Sequence, residues 1–126
     1  MKIAFAQLNH IIGDFASNAE KILAAYRDGV ASGADLVVAP ELAIPGYPPR
    51  DLLFRSRFVR RNLEVLAEIA AEVGEVPLAL GYADVNDKGI RTAAAQRRRR
   101  AAPGGRRQGL EVAPPDLRCL RRGALL

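Results

Sequence analysis

Cysteine, histidine and tryptophan are nearly missing from the 126-residue sequence: Cys119 and His10 each stand alone, and tryptophan is absent. A single cysteine excludes an internal disulfide, which fits a reducing compartment. A single histidine makes His10 the sole candidate for a His-based triad, but its neighbours Ile11 and Ile12 favour a packing role. No Cys/His cluster indicates zinc, and no glycine-rich loop followed by Lys-Ser/Thr indicates a phosphate site. We therefore expect no metal or cofactor site in this chain.

Long hydrophobic runs are also missing. No stretch approaches the roughly 20 apolar residues that a membrane span needs, and the N-terminus lacks the apolar region and cleavage site of a secretory signal. We therefore expect a cytoplasmic protein without a membrane partner. The content of 49% hydrophobic and 26% charged residues is ordinary for a globular protein, and the length suits one small domain.

Lysine and aromatic residues disappear towards the end of the chain. Residues 1–90 carry 9 Lys+Arg against 12 Asp+Glu, whereas residues 91–126 carry 10 arginines against Glu111 and Asp116. All seven aromatic residues lie at or before Tyr82. Two compositions therefore meet near residue 90. We predict a partial globular domain over residues 1–90 and a disordered, arginine-rich tail over residues 91–126.

The spacing of apolar residues in the first 90 positions predicts alternating strands and helices. Near-continuous apolar runs predict strands at residues 2–8, 34–40 and 76–82. Apolar residues three or four positions apart predict helices at residues 18–32, capped by Ser17 or Asp14, and at residues 56–73. Short connections between these elements are typical of βαβ units, so the sequence predicts an α/β fold.

Two details describe the predicted helices. The buried face of the first helix is expected to include Ile22, Tyr26 and Val30. On the second helix, Arg60 and Glu64 lie four residues apart, so a modest surface ion pair is available to them.

Glu41 directly follows the second predicted strand, at the edge of the sheet where α/β folds place their chemistry. Pro40 and Pro45 restrict the backbone on either side, so the carboxylate is expected to be held in place. Glu41 is therefore a candidate functional residue. The alternative is a solvated carboxylate that caps the following turn.

The sequence around Glu41 resembles a known motif. Residues 38–53, VAPELAIPGYPPRDLL, resemble the glutamate motif of the carbon–nitrogen hydrolase (nitrilase) superfamily, whose members hydrolyse amides and nitriles with a Glu-Lys-Cys triad. Residues 46–53 and the opening AQLN at residues 6–9, followed by Gly13, Asp14 and Asn18, narrow the resemblance to the glutaminase domain of glutamine-dependent NAD synthetases. The resemblance implies the N-terminal part of a four-layer α-β-β-α sandwich, truncated so that one sheet face is uncovered.

The resemblance implies that Glu41 is the general base and that Tyr47 lines the substrate pocket, although core packing is an equal alternative for Tyr47. It implies a small amide such as glutamine as substrate, and ATP with magnesium in a synthetase domain that this chain lacks. Multimers are common in such enzymes, which leaves room for a homo-oligomer of the full-length protein. The lysine of the triad is missing, and Cys119 lies in the tail, so we expect the 126-residue chain to be inactive.

The tail itself is predicted to be translated out of frame. When the permitted codons of residues 111–126 are read one base later, they allow the string KSLLPTYDVFDEARYF, which resembles the lysine motif of the same glutaminase domain. A lysine-free, arginine-rich stretch is also what a G+C-rich gene yields in a wrong frame. These features predict a frameshift between about Ile90 and Arg98.

Two alternatives remain open at the level of the sequence. The chain could be a fragment of a stand-alone amidase or nitrilase of the same superfamily. It could instead be a small protein whose arginine tail binds nucleic acid, although the tail lacks aromatic residues for base stacking. The latter predicts salt-sensitive binding that disappears when residues 91–126 are removed.

Overall fold

The computed structural model describes residues 1–86, 89–98 and 109–112. Strands and helices alternate through the first part of the chain, as the sequence predicts. The elements in order are β1 (Ile3–Phe5), α1 (Phe15–Ala31), β2 (Leu36–Val38), a 3₁₀ helix (Arg50–Phe54), α2 (Ser56–Glu72), β3 (Leu78–Asn86), β4 (Gly89–Arg98) and β5 (Gly109–Val112).

The strands form one sheet in the order β1-β2-β3-β4-β5. β1 pairs in parallel with β2, and β2 pairs in parallel with β3, where Val38 lies opposite Ala79. β4 and β5 add antiparallel ladders. The carboxyl ends of β1, β2 and β3 therefore point to the same edge of the sheet, which confirms the predicted α/β class.

Helix α1 starts three residues earlier than predicted. Its N-cap is Asp14, whose carboxylate accepts a hydrogen bond from the Ser17 backbone N–H at 3.2 Å. Of the two predicted caps, Asp14 is correct, and Ser17 lies inside the first turn. A short acidic side chain satisfies one of the backbone donors left free at a helix start, which accounts for the earlier beginning.

Helices α1 and α2 cover one face of the sheet and enclose the core. The buried residues include Ile22 of α1, Ile69 of α2 and, from the strands, Val37, Leu80 and Tyr82. Helix α1 approaches β2 closely at Gly29, where an added Cβ would lie 2.8 Å from Cγ2 of Val37. Gly29 therefore takes the buried position that the sequence assigned to Val30, which is 38% exposed.

The opposite face of the sheet is open at β1. There Ile3 is 38% exposed and Phe5 is 73% exposed, and across the ladder Leu36 and Val38 are only half-buried. Apolar residues on both faces are typical of a sheet that is meant to be covered twice. The described residues thus form one helix layer and one sheet, as half of a four-layer sandwich would.

Two further strands lie around and beyond residue 90, while the domain over residues 1–90 and the tail over residues 91–126 stay predictions. Strand β4 runs from Gly89 to Arg98 and crosses the predicted boundary, and residues 109–112 form β5. β3 offers an unpaired edge, and β4 pairs along it from Asn86 opposite Gly89 to Ala79 opposite Gln96. Residues 99–108 and 113–126 of the predicted disordered tail lie outside the described residues.

None of the helices in the described part of the chain has the length and apolarity to cross a membrane.

Candidate functional site

The site begins where β2 ends. The Ala39 N–H donates to the Ala79 carbonyl at 2.8 Å, and the Gly81 N–H donates to the Pro40 carbonyl at 3.3 Å. These bonds continue the β2–β3 ladder up to Pro40. Glu41 is the first residue beyond it, at the carboxyl edge of the parallel strands, where the sequence placed it.

Residues 39–49 form a segment that we call the glutamate loop. Leu42, Ala43 and Ile44 are almost fully buried, at 5%, 0% and 0% exposure, whereas Glu41 and Tyr47 are exposed. Loops normally run over the surface. This one is anchored in the core, so its exposed carboxylate stands on a fixed base.

The backbone directly after Glu41 has an unusual conformation. Leu42 has a φ of 55°, in the left-handed region that side-chain-bearing residues rarely adopt. Such a conformation costs on the order of 1–3 kcal/mol, persists only where surrounding contacts enforce it and clusters at functional sites. Gly81 of β3 provides one such contact, because a Cβ there would lie 2.7 Å from the Leu42 nitrogen and 2.8 Å from the Glu41 Cα.

A second set of contacts joins the glutamate loop to the segment after β1. The Gly13 N–H donates to the Pro45 carbonyl at 3.0 Å. Gly46, with a φ of 80°, has no room for a side chain, since an added Cβ would lie 2.8 Å from Cα of Ile12. The buried Asn18 amide donates to the Ile44 carbonyl at 3.0 Å.

The two predicted site residues, Glu41 and Tyr47, both lie on the exposed side of the glutamate loop. Among the residues that the structure describes, none forms a hydrogen bond or ion pair with the Glu41 carboxylate. Tyr47 lies on the same loop and is 72% exposed, and the packing alternative for Tyr47 stays a prediction. Its role in lining a substrate pocket stays a prediction.

His10 lies half-buried just after β1, and its Nε2 has no hydrogen-bond partner in the described part of the chain. Burial, and secondarily the positive charge of Lys21, lower its pKa. The imidazole is therefore neutral at physiological pH. The side chains of residues 1–84 contain no group of three or more His, Cys, Asp or Glu able to hold a metal ion, and Cys119 lies outside the described residues.

Three residues that shape the site have no site role among the sequence-based predictions, although Asn18 is one of the residues that carry the family resemblance: Asn18, Leu42 and Gly81. Asn18 had a detectable signal, because it lies four positions before Ile22 on the buried face of α1. Gly81 also had one, since an isolated glycine within a strand often marks close backbone approach. No local pattern predicts a positive φ at Leu42, because leucine does not favour it.

Comparisons with known proteins agree with this geometry. The chain is 42% identical over 89 residues to the glutamine-dependent NAD(+) synthetase of Rhodobacter capsulatus, which covers 70% of this chain and 16% of the relative. The structure of glutamine-dependent NAD+ synthetase from Acinetobacter baumannii in complex with adenosine diphosphate superposes with a TM-score of 0.69 at 28% identity, over 87% of this chain and 20% of that one. An amidase from Nesterenkonia sp. shares the fold, with a TM-score of 0.63 at 22% identity, over 76% of this chain and 37% of that one.

The first two curated relatives are matched over 16% and 17% of their own lengths, so the chain spans about a sixth of them. The model of the carbon-nitrogen hydrolase family matches residues 2–94, which include the glutamate loop and the strands on either side of it. The chain therefore belongs to the carbon–nitrogen hydrolase family, and the resemblance predicted from residues 38–53 is confirmed.

Proposed function

We propose that residues 1 to about 90 are part of the glutaminase domain of a glutamine-dependent NAD+ synthetase, with Glu41 as its general base. The observation that carries the proposal is the glutamate loop itself. It presents an unpaired, exposed carboxylate on a buried loop, next to a left-handed Leu42, at the carboxyl edge of a parallel sheet. The similarity to glutamine-dependent NAD(+) synthetases supports it.

In this proposal Glu41 acts twice on protons. It takes the proton from a cysteine thiol as the sulfur attacks the amide carbon of glutamine, and it passes that proton to the nitrogen as the C–N bond breaks and ammonia leaves. The carboxylate, free again, removes a proton from the water that hydrolyses the resulting thioester to glutamate, and it returns this proton to the sulfur as the C–S bond breaks. A lysine ammonium stabilises the oxyanion formed in each step. Of these three groups, the described part of the chain contributes Glu41.

The wider role follows from the relatives. We propose glutamine as the substrate, with Tyr47 contacting it from the same loop as Glu41. The released ammonia serves a separate synthetase domain that uses ATP and magnesium. The complex of the Acinetobacter baumannii enzyme with adenosine diphosphate supports nucleotide use by the longer relatives. A homo-oligomer and a cytoplasmic location rest on the sequence alone and stay predictions.

We also propose that the arginine-rich tail is an out-of-frame translation of the segment that should carry the catalytic lysine. The shifted reading KSLLPTYDVFDEARYF supports this, as does the end of the family match at residue 94. Loss of one member of a catalytic triad removes most of its advantage. The 126-residue chain should therefore release no ammonia from glutamine.

The test begins with the gene. Genomic DNA is resequenced from the codon of Tyr82 through several hundred bases beyond Leu126, and the product of the corrected frame is assayed for ammonia release. We expect one base to be missing or extra between about Ile90 and Arg98. We expect Glu41→Gln to lower glutaminase activity of the corrected product by at least about 10²-fold. Glu20→Gln, which changes an exposed carboxylate on α1, is the matched control.

Either of two results would contradict the proposal. One is a corrected product that keeps its activity after Glu41→Gln. The other is Glu41-dependent ammonia release by the 126-residue chain itself. A gene without a missing or extra base would refute the frameshift alone. The proposed role of Glu41 would then still rest on the family match over residues 2–94.

A further inference from the structure

Asn18 is a fully buried polar residue on α1, at 0% exposure. Its Nδ2 donates to the Ile11 carbonyl at 2.8 Å and to the Ile44 carbonyl at 3.0 Å, and its Oδ1 accepts from the Ile11 N–H at 2.9 Å. A buried amide is tolerated only when it is hydrogen-bonded. Asn18 is satisfied entirely by backbone groups of two loops, so it ties both loops to the helix.

The Ile44 contact places one end of this tie inside the glutamate loop. Ile44 lies in a single tight turn, closed by the Gly46 N–H donating to the Leu42 carbonyl at 2.9 Å. Glu41 is the residue directly before that turn. Movement of the Ile44 carbonyl would therefore be transmitted to Glu41 through three peptide units of restricted geometry.

The same turn presses against the backbone that Asn18 holds at Ile11. An added Cβ on Gly46 would lie 2.9 Å from both the carbonyl carbon and the oxygen of Ile11. With Gly13 also bonded to Pro45, the two loops pack backbone to backbone. Asn18 holds Ile11 at both its N–H and its carbonyl, so it fixes the surface on which the glutamate loop rests.

We infer that Asn18 is a positioning residue for Glu41, holding the glutamate loop in the conformation that presents the carboxylate. The inference rests on the proposed role of Glu41. Catalytic groups must be held within about 0.5 Å of their productive geometry by the packing and hydrogen bonds around them. Asn18 supplies those bonds on the side of Ile44, and Gly81 supplies close packing beneath Glu41 itself.

Asn62 provides a control within the same molecule. It is also 0% exposed, and its amide bonds both the N–H and the carbonyl of Ala83 on β3. It lies on α2 and forms no hydrogen bond with the glutamate loop. A merely structural role for buried asparagine predicts the same consequences for both residues, whereas the positioning role predicts a local effect for Asn18 alone.

The experiment compares the 126-residue chain with its Asn18→Asp and Asn62→Asp variants by nuclear magnetic resonance. Both substitutions keep the side-chain size and replace a donating NH2 by an oxygen. Two readouts are followed: amide hydrogen exchange at Gly13, Gly46 and Ala83, and the side-chain carboxyl ¹³C resonance of Glu41. No step requires turnover, so failure of the glutaminase proposal would leave these readouts unaffected.

We expect slow exchange at Gly13 and Gly46 in the unmodified chain, comparable to that at Ala83. In Asn18→Asp, exchange at both glycines should become roughly tenfold faster relative to Ala83, and the Glu41 carboxyl resonance should move. In Asn62→Asp the change should fall on Ala83 instead, with Glu41 unaltered.

The inference is overturned if both variants move the Glu41 resonance equally, or if Asn18→Asp leaves it and the two glycine amides unchanged. If the Asn18→Asp variant does not fold, the inference is tested by comparing amide exchange at Gly46 and Ala83 in the unmodified chain. Exchange at Gly46 about 10²-fold faster than at Ala83 would show that the loop is not held and would overturn the inference, whereas matched slow exchange would support it.

Discussion

The two faces of the sheet have similar apolar sequences but different surroundings. On the helix side, Val37 is 1% exposed and Tyr82 is 1% exposed, whereas on the other side Phe5 is 73% exposed and Ile3 is 38% exposed. The apolar residues of β1 and β2 do not distinguish the faces, so the difference lies in what covers them. The described residues complete one interface between helices and sheet and leave the other face open at β1.

The covered face of the sheet determines both the stability of the described residues and the position of Glu41. The helix face holds the core that any folding of residues 1–86 depends on. The glutamate loop is anchored to that core through Asn18 and Gly81, so the position of Glu41 depends on the covered face. Residues 1–86 can therefore hold the carboxylate in place without the lysine and cysteine that the proposed function places beside it.

The largest expected effect compares the two faces directly. Ile22→Ala, at a side chain that is 1% exposed, should lower the free energy of unfolding by about 2–5 kcal/mol, because it loses apolar burial and leaves a cavity. Phe5→Ala, at a side chain that is 73% exposed, should change it by less than about 0.5 kcal/mol. Urea unfolding of the two variants measures both values. Equal costs would show that the β1 face is covered in solution, for instance by a second copy of the chain.

A smaller effect is expected at the closest helix–strand contact. Gly29→Ala would place a Cβ 2.8 Å from Cγ2 of Val37 and 3.2 Å from Cβ of Ala4, and overpacking of this kind costs about 1–3 kcal/mol. Alanine favours a helix over glycine by about 1 kcal/mol, so a net destabilisation would show that the clash dominates. Thermal unfolding compares this variant with Ala24→Ser, an exposed change on the same helix. A stabilised Gly29→Ala would mean that α1 can move away from β2.

The positions of the helices illustrate what the sequence could predict. Apolar spacing of three and four residues located both helices, but it could not predict which of two adjacent residues on α1 is buried against the sheet. Gly29 rather than Val30 is buried because the distance to β2 leaves no room for a side chain. On α2, Glu64 pairs with Arg61 rather than with Arg60, to which spacing made a pair available. Arg61 contacts Glu64 at 3.2 Å and Glu68 at 2.8 Å instead, which depends on the rotation of the helix against the sheet.

The candidate site was predictable only where its signals are local. Glu41 at a strand end between prolines could be identified from neighbouring residues. The contacts that hold it could not, because Asn18 and Ile44 are 26 positions apart and meet only in the folded chain. Leu42 has a positive φ that tertiary contacts impose against its own preference, and such a conformation has no signature in sequence.

A moderate loss of stability is expected from Tyr26→Phe. Tyr26 lies at the edge of the covered face, where α1 meets the connection between α2 and β3. Its hydroxyl donates to the Val76 carbonyl at 2.8 Å and accepts from the Gly74 N–H at 2.9 Å. Tyr26→Phe keeps the buried ring and removes both bonds, which should lower the free energy of unfolding by about 1–2 kcal/mol. Tyr47→Phe, at an exposed ring, should cost nearly nothing. Equal values for the two variants in urea unfolding would show that water replaces both bonds of Tyr26 without loss.

The smallest expected effect lies at His10, in the segment between β1 and α1. Its pKa is lowered from the ordinary value of 6.5 by burial and then by the charge of Lys21, so the unfolded chain takes up a proton before the folded chain does. Stability from the neutral imidazole is therefore full above pH 6.5 and decreases as the pH falls below it. We expect the free energy of unfolding to fall less between pH 7.5 and about pH 5.5 in His10→Gln than in the unmodified chain. Lys21→Met should reduce the difference, because it removes the second cause of the lowered pKa. Parallel profiles for His10→Gln and the unmodified chain would show that His10 is as solvated when folded as when unfolded.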